Sequence, residues 1–215
     1  MSVNINFRGI NDRMSYDRRY QERLLVRRPY FAVLAKILIE KFNPSLCLDI
    51  GASDDLLIQQ FKRLGVECYG IDICKEFMVY ASEDTRGNLI LADVEQGLPF
   101  KDCSFDLITI LEVLEHLRKY DYVISEIKRV LKPGGIVFVT TPSKMQDAIA
   151  DLFGIPSKLR KIFLKNHSYT YHPLYRGHKC HSKSFWIKKF TSQGFELVKK
   201  MDIKKQLLQL LQEVG

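Results

Sequence analysis

From residue 46 onward, short apolar runs alternate with amphipathic stretches. Leu46 to Ile50, Val66 to Ile73, Asn88 to Ala92, Phe105 to Leu111 and Ile136 to Thr141 read as strands. Between them, Leu56 to Leu64, a stretch around Lys75 to Ser82, and a segment from Tyr120 to Leu131 read as helices. In the last of these, Tyr120, Val123, Ile124, Ile127, Val130 and Leu131 recur at three- and four-residue spacing, so one face is core. It ends at Lys132-Pro133-Gly134-Gly135, where proline cannot continue a helix and glycine supplies a positive φ. Strands alternating with helices predict an α/β fold with a parallel sheet and helices on both faces.

The rhythm breaks at residues 143 to 181. Lys144 to Asn166 suits one or two amphipathic helices interrupted near Gly154-Ile155-Pro156, and His167 to His181 mixes aromatic, basic and histidine residues. An insertion this long inside a compact domain points to function, here a lid. Its aromatics suit stacking on bases, covering a pocket, resting on an anionic membrane, or simply packing on the sheet. Ser182 is an N-cap for a helix to Gln193, Gly194 ends it, Phe195 to Met201 reads as a strand, and Lys204 to Val214 as a helix. The expected organisation is a helical cap over 1–45, a core over 46–142, the lid over 143–181 and completion of the core over 182–215. In the cap, Arg19, Arg23 and Arg27 lie four apart on one helix face and are placed to close the pocket from above.

Charge sharpens this division. The formal net charge of +8 splits into +5 over residues 1–45, −6 over 46–142 and +9 over 143–215. Basic flanks around an acidic centre suit an anionic small molecule, a membrane surface or nucleic acid, or are only a solvated basic surface. The five cysteines lack framework spacing, and the N-terminus lacks an apolar signal segment, so the expectation is a reduced, cytoplasmic protein. No stretch approaches eighteen uninterrupted apolar residues, so no membrane span is expected.

The chemistry concentrates at strand ends. Leu48-Asp49-Ile50-Gly51 runs a buried strand into a turn of small residues, where backbone N–H groups approach a ligand closely. About twenty residues on, Asp72 ends the second strand as an acceptor for a ribose diol. For Asp72 and for Asp93, at the end of the third strand, the alternative is a helix N-cap.

These residues resemble the class I S-adenosylmethionine-dependent methyltransferases, especially the small-molecule and lipid branch (type 11). The marks are Leu48-Asp49-Ile50-Gly51, Gly70-Ile71-Asp72, Leu91-Ala92-Asp93, Leu98-Pro99-Phe100 with Ser104-Phe105-Asp106, Leu111-Glu112-Val113-Leu114-Glu115-His116, and Leu131-Lys132-Pro133-Gly134-Gly135. They run in order over about residues 44 to 201. The resemblance implies a Rossmann-like seven-stranded sheet, here lacking an evident last strand, and S-adenosylmethionine as cofactor. It implies a cofactor site of Asp49, Gly51, Ala52, Ser53, Asp72, Ile73, Asp93, Val94, Leu111 and Glu112. Within it, Asp49 orders the loop through backbone N–H groups, Gly51 leaves room for the methionine part, Asp93 takes the adenine amino group and Val94 donates its N–H to the ring. Leu111 and Glu112 line the opening where sulfonium and acceptor meet.

One departure stands out. Where the family commonly has three alternating glycines, this chain has Gly51, Ser53 and Asp55. Asp55 would repel the cofactor's carboxylate unless it caps the next helix or faces solvent; capping is the expectation. His116 is the first candidate for a base toward a hydroxyl or acidic carbon, with His178 and His181 next. The His178-x-Cys180-His181 cluster lacks the separated pairs of a structural zinc site, so no metal is expected.

The leading expectation is therefore methyl transfer to a small or lipid-like, anionic acceptor, with RNA as a variant supported by charge alone. The competing reading is a non-catalytic module on the same fold with a degenerate cofactor loop. A nicotinamide-dependent oxidoreductase is disfavoured, because the first turn lacks the G-x-G-x-x-G spacing.

Overall fold

The structure is a computed structural model and describes residues 27–78, 80–141 and 181–198. Helix α1 covers residues 27–42. Then follow β1 (Leu46–Ile50), α2 (Leu56–Arg63), β2 (Glu67–Asp72), α3 (Lys75–Met78), α4 (Glu83–Arg86), β3 (Leu89–Leu91), β4 (Phe105–Leu111), α5 (Tyr120–Val130), β5 (Leu131–Thr140) and α6 (Lys183–Ser192). Single 3₁₀ turns, Val94–Gln96 and Leu114–His116, follow β3 and β4.

The five described strands form one sheet in the order β3-β2-β1-β4-β5, and every pairing is parallel. The order reverses beside β1, which leaves a crevice at the carboxyl ends of β1 and β4, where open α/β sheets bind ligands. Both faces are covered, as a parallel sheet requires. On one side Leu34 and Leu38 of α1 and Leu57 and Phe61 of α2 pack with Cys47, Cys68 and Leu107. On the other, Val123 and Ile127 of α5 and Trp186 of α6 pack with Leu48, Ile50, Ile108 and Ile110. Alternate residues of β1 thus go to opposite cores, which explains its uninterrupted apolar run.

The expected strands over 46–50 and 105–111 have the expected bounds. The end of α5 also falls before Pro133, but Leu131 immediately pairs with Phe105, and regular pairing resumes at Leu107 with Ile136. The Lys132 to Gly135 segment is therefore a bulge inside β5 rather than a loop before it. The helix expected around Lys75 to Ser82 is shorter, α3 ending at Met78, and a second short helix, α4, follows with Ser82 at its cap position. Ser182 caps α6 as expected, its hydroxyl accepting from the Phe185 N–H.

The strand expected over Phe195 to Met201 is not formed in its described part: residues 195–198 have no regular structure, and Leu197 and Val198 are exposed. Leu197 and Val198 thus find no face of the described sheet to bury against. Arg19, Arg23, most of the 143–181 insertion, with His178 and Cys180, and the helix expected over 204–214 lie outside the described residues.

Candidate active site

The turn after β1 is fixed from several directions. The N–H groups of Gly51 and Ala52 both donate to the Ile71 carbonyl of β2, at 2.8 and 3.2 Å. Gly51 adopts φ +79°, and a Cβ there would lie 2.2 Å from a methyl of Val113. Glycine is thus required for packing against the loop after β4 as well as for conformation. Gly70 has the matching role on β2, where a Cβ would fall 2.5 Å from Ile58 and 2.6 Å from Ala52. Ser53 takes φ +51° and donates its N–H to Asp72 Oδ2 at 2.8 Å.

Asp72 is buried, and its Oδ1 accepts from the Cys74 N–H at 2.8 Å. Both oxygens thus hold backbone donors from the turns flanking Ile73, and each keeps a second lone pair for a ligand hydroxyl. Burial raises this carboxyl's pKa, opposed by the bonds from Cys74 and Ser53. Asp93 caps the turn after β3 by accepting from Glu95 N–H at 2.9 Å, so the N-cap alternative describes its contact here; Val94 is buried beside it.

Two carboxylates behave differently from expectation. Asp49 does not order the loop through backbone N–H groups; its Oδ1 accepts the Thr109 hydroxyl of β4 at 2.6 Å. It is buried, and desolvation pushes its pKa up to about 7. Asp55 occupies the cap position of α2 at φ +63°, yet its side chain makes no cap hydrogen bond and does not face solvent. Its Oδ1 accepts from Gln59 Nε2 at 2.8 Å, and its Oδ2 accepts from Ser82 N–H at 3.0 Å and from the Thr85 hydroxyl. The reason is reach: a left-handed Asp55 turns its carboxylate toward α4 and away from the first N–H groups of α2. Its charge is absorbed by those donors instead of confronting a ligand.

The end of β4 is the electrostatic counterpart. Leu111 closes the strand opposite Thr140. Glu112 follows at φ +58°, a conformation uncommon for a non-glycine residue and characteristic of functional turns. Its Oε1 is buried without a hydrogen-bond partner, as is Glu115 Oε2. Burial pushes Glu112 up to about 7, partly opposed by the Thr140 hydroxyl. It pushes Glu115 up to about 8, with the neighbouring Glu112 charge adding to the effect. His116 Nε2 lies 3.9 Å from Glu115 Oε1 and is mostly buried. Glu115 was not among the expected site residues, although its spacing of three from Glu112 on a tight turn was the available signal.

The N-terminal helix reaches both centres. Arg27 Nη1 bonds Asp54 Oδ2 at 2.8 Å, pinning α1 to the turn after β1. Tyr30 is buried near enough to Glu112 for that charge, after burial, to raise its hydroxyl's pKa. His181, by contrast, stacks on the Phe185 ring at 3.8 Å and meets Tyr120 and Trp186 edge-on, so its visible role is packing α6 onto α5. Among the described residues no three His, Cys, Asp or Glu side chains group as a metal site.

The comparisons agree with this geometry. Residues 48–139 match the type 11 family described as a methyltransferase domain. This stretch is similar to class I S-adenosylmethionine-dependent methyltransferase domains. The chain is 35% identical over 100 residues to the ubiquinone biosynthesis O-methyltransferase of Pelagibacter ubique, covering 45% of this chain and 42% of that protein. It is 32% identical over 128 residues to the protein of the same description from Nitrosococcus oceani, covering 57% and 54%. The chain thus spans about half the length of the curated relatives it matches. A solved S-adenosylmethionine-dependent methyltransferase from Archaeoglobus fulgidus superposes with a TM-score of 0.60 at 18% identity, over 84% of this chain and 75% of that one, and supports the fold.

S-adenosylmethionine is the cofactor of this methyltransferase domain, and the residues present fit it. It is cationic at its sulfonium and ammonium groups, and Glu112 presents a buried acceptor oxygen with no protein partner. A buried unpartnered carboxylate is costly unless a ligand satisfies it. No described helix is long and apolar enough to cross a membrane.

Proposed function

We propose that the protein catalyses methyl transfer from S-adenosylmethionine to an oxygen of a small, lipid-like acceptor. The observation that carries this reading is the pair of buried carboxyls after β4, each with an oxygen lacking a partner, at the carboxyl edge of a methyltransferase sheet. The bound cofactor supplies an already activated methyl electrophile, so the protein's work is positioning, desolvation and removal of one proton. Asp72 and Asp93 would hold the ribose and adenine, with Gly51, Ala52, Ser53, Ile73, Val94 and Leu111 shaping the walls. Glu112 would face the cationic end.

His116 would take the acceptor hydroxyl's proton through one ring nitrogen. Glu115, 3.9 Å from Nε2, would stabilise the resulting imidazolium in its ionised form, which burial shifts to pH above about 8. The relatives described as ubiquinone biosynthesis O-methyltransferases favour a ring hydroxyl on a molecule with an apolar tail. The basic charge outside the core suits an anionic group on that molecule or on the surface holding it.

Mass-spectrometric detection of methylated product from hydroxylated aromatic lipids tests this directly. His116→Ala should lower turnover about 10²- to 10⁴-fold while leaving S-adenosylhomocysteine affinity unchanged. Turnover that survives His116→Ala would remove this residue as the base.

A further inference from the structure

We infer that Asp55 is a positioning residue of the cofactor loop, taking over by anchorage the part a third glycine plays by flexibility; this rests on the cofactor reading above. The loop from Gly51 to Asp55 contains three left-handed residues, Gly51, Ser53 and Asp55, at φ +79°, +51° and +63°. Two of them carry a Cβ, so the shape is strained at each and persists only if other contacts impose it.

Those contacts can be named. Ser53 N–H is held by Asp72 Oδ2 at 2.8 Å, and Asp55 N–H by the Ala52 carbonyl at 3.1 Å. Asp55 then uses both carboxylate oxygens: Oδ1 for Gln59 Nε2, and Oδ2 for the Ser82 N–H and the Thr85 hydroxyl. The Ser82 and Thr85 hydroxyls are also bonded to each other at 2.7 Å. Asp55 is fully buried and Thr85 is 1% exposed. This junction bolts the far end of the loop to the start of α4, the helix that leads into β3 and Asp93. Loop, ribose acceptor and adenine side of the site are therefore held in one hydrogen-bonded frame.

The consequence runs against family resemblance. Asp55→Gly, which restores the common glycine, removes every side-chain contact of the anchor and leaves the part-buried Ser82 N–H and the buried Thr85 hydroxyl without this acceptor. It should weaken S-adenosylhomocysteine binding about tenfold or more and speed amide exchange over residues 51–55, with exchange in α5 and β5 unchanged. Asp55→Asn should bind within about threefold of wild type, because its amide oxygen accepts from Ser82 and Thr85 while its NH₂ faces a turned Gln59 amide. Thr85→Val combined with Asp55→Gly should add little to Asp55→Gly alone, since both remove one contact. Asp55→Gly binding as tightly as wild type, with unaltered exchange over 51–55, overturns the inference. Wild type that fails to bind overturns the cofactor reading instead, and the exchange result then still decides whether Asp55 anchors the loop.

Discussion

The two ends of strand that frame the site are built on opposite electrostatic plans. After β1 and β2, every carboxylate oxygen of Asp72 and Asp55 holds at least one backbone or side-chain donor, and among the orphaned buried atoms of the described residues only Asp54 Oδ1 belongs to this region. After β4, Glu112 and Glu115 each leave a buried carboxyl oxygen unpaired. A satisfied network is rigid before any ligand arrives, whereas an unsatisfied one stores a penalty that a ligand can relieve. The difference assigns shape to the first region and charge recognition to the second.

The largest perturbation is steric and strikes where the regions touch. Gly51→Ala places a methyl 2.2 Å from Val113 in a left-handed residue, and should destabilise the fold by on the order of 3 kcal/mol in denaturant titration. A loss below about 1 kcal/mol would mean that Val113 yields freely and that the two regions are not coupled there.

Next comes the first region alone. Asp72→Ala frees the Ser53 and Cys74 N–H groups and removes the proposed ribose acceptor, so S-adenosylhomocysteine affinity should fall at least about tenfold. Unchanged affinity would place the ribose elsewhere.

The smaller effects are pH-dependent and come from buried carboxyls on both sides. Asp49 rises from 3.8 to about 7, Glu112 from 4.5 to about 7 and Glu115 from 4.5 to about 8. Each folded-state pKa lies above its unfolded value, so the folded protein binds more protons. The stability they provide is complete below about pH 4 and is lost as pH rises through 7 to 8. The melting temperature should therefore be higher at pH 6 than at pH 8.5, and Glu115→Gln should reduce that difference. An equal or higher melting temperature at pH 8.5 would show that these carboxyls are not buried as described.

Much of this was legible in the chain. The uninterrupted apolar runs of β1 and β4 fixed their bounds, because burial on both faces leaves no alternation to misread. Asp72 and Gly51 were legible for the same reason, as each ends a strand whose end is unambiguous. The start of β5 was not, since Pro133 and Gly134 argue for a loop while the pairing of Leu131 with Phe105 carries a strand through a bulge. Asp49 and Asp55 were placed correctly and given the wrong partners. Thr109 lies 60 residues from Asp49 and Thr85 lies 30 from Asp55, and no local pattern announces contacts of that range. Glu115 was hidden by its composition: a charged residue on a short turn reads as exposed, whereas here it is buried.

The division between a shaped half and a charge-recognising half is tested most directly by calorimetric titration of S-adenosylmethionine and S-adenosylhomocysteine at pH 6 and pH 8. Glu112 ionises near pH 7, and only the first ligand carries a sulfonium. S-adenosylmethionine affinity should therefore rise with pH more steeply than that of S-adenosylhomocysteine, and Glu112→Gln should abolish the difference. Equal pH dependence for both ligands in wild type, or no binding of either at millimolar concentration, would contradict the account.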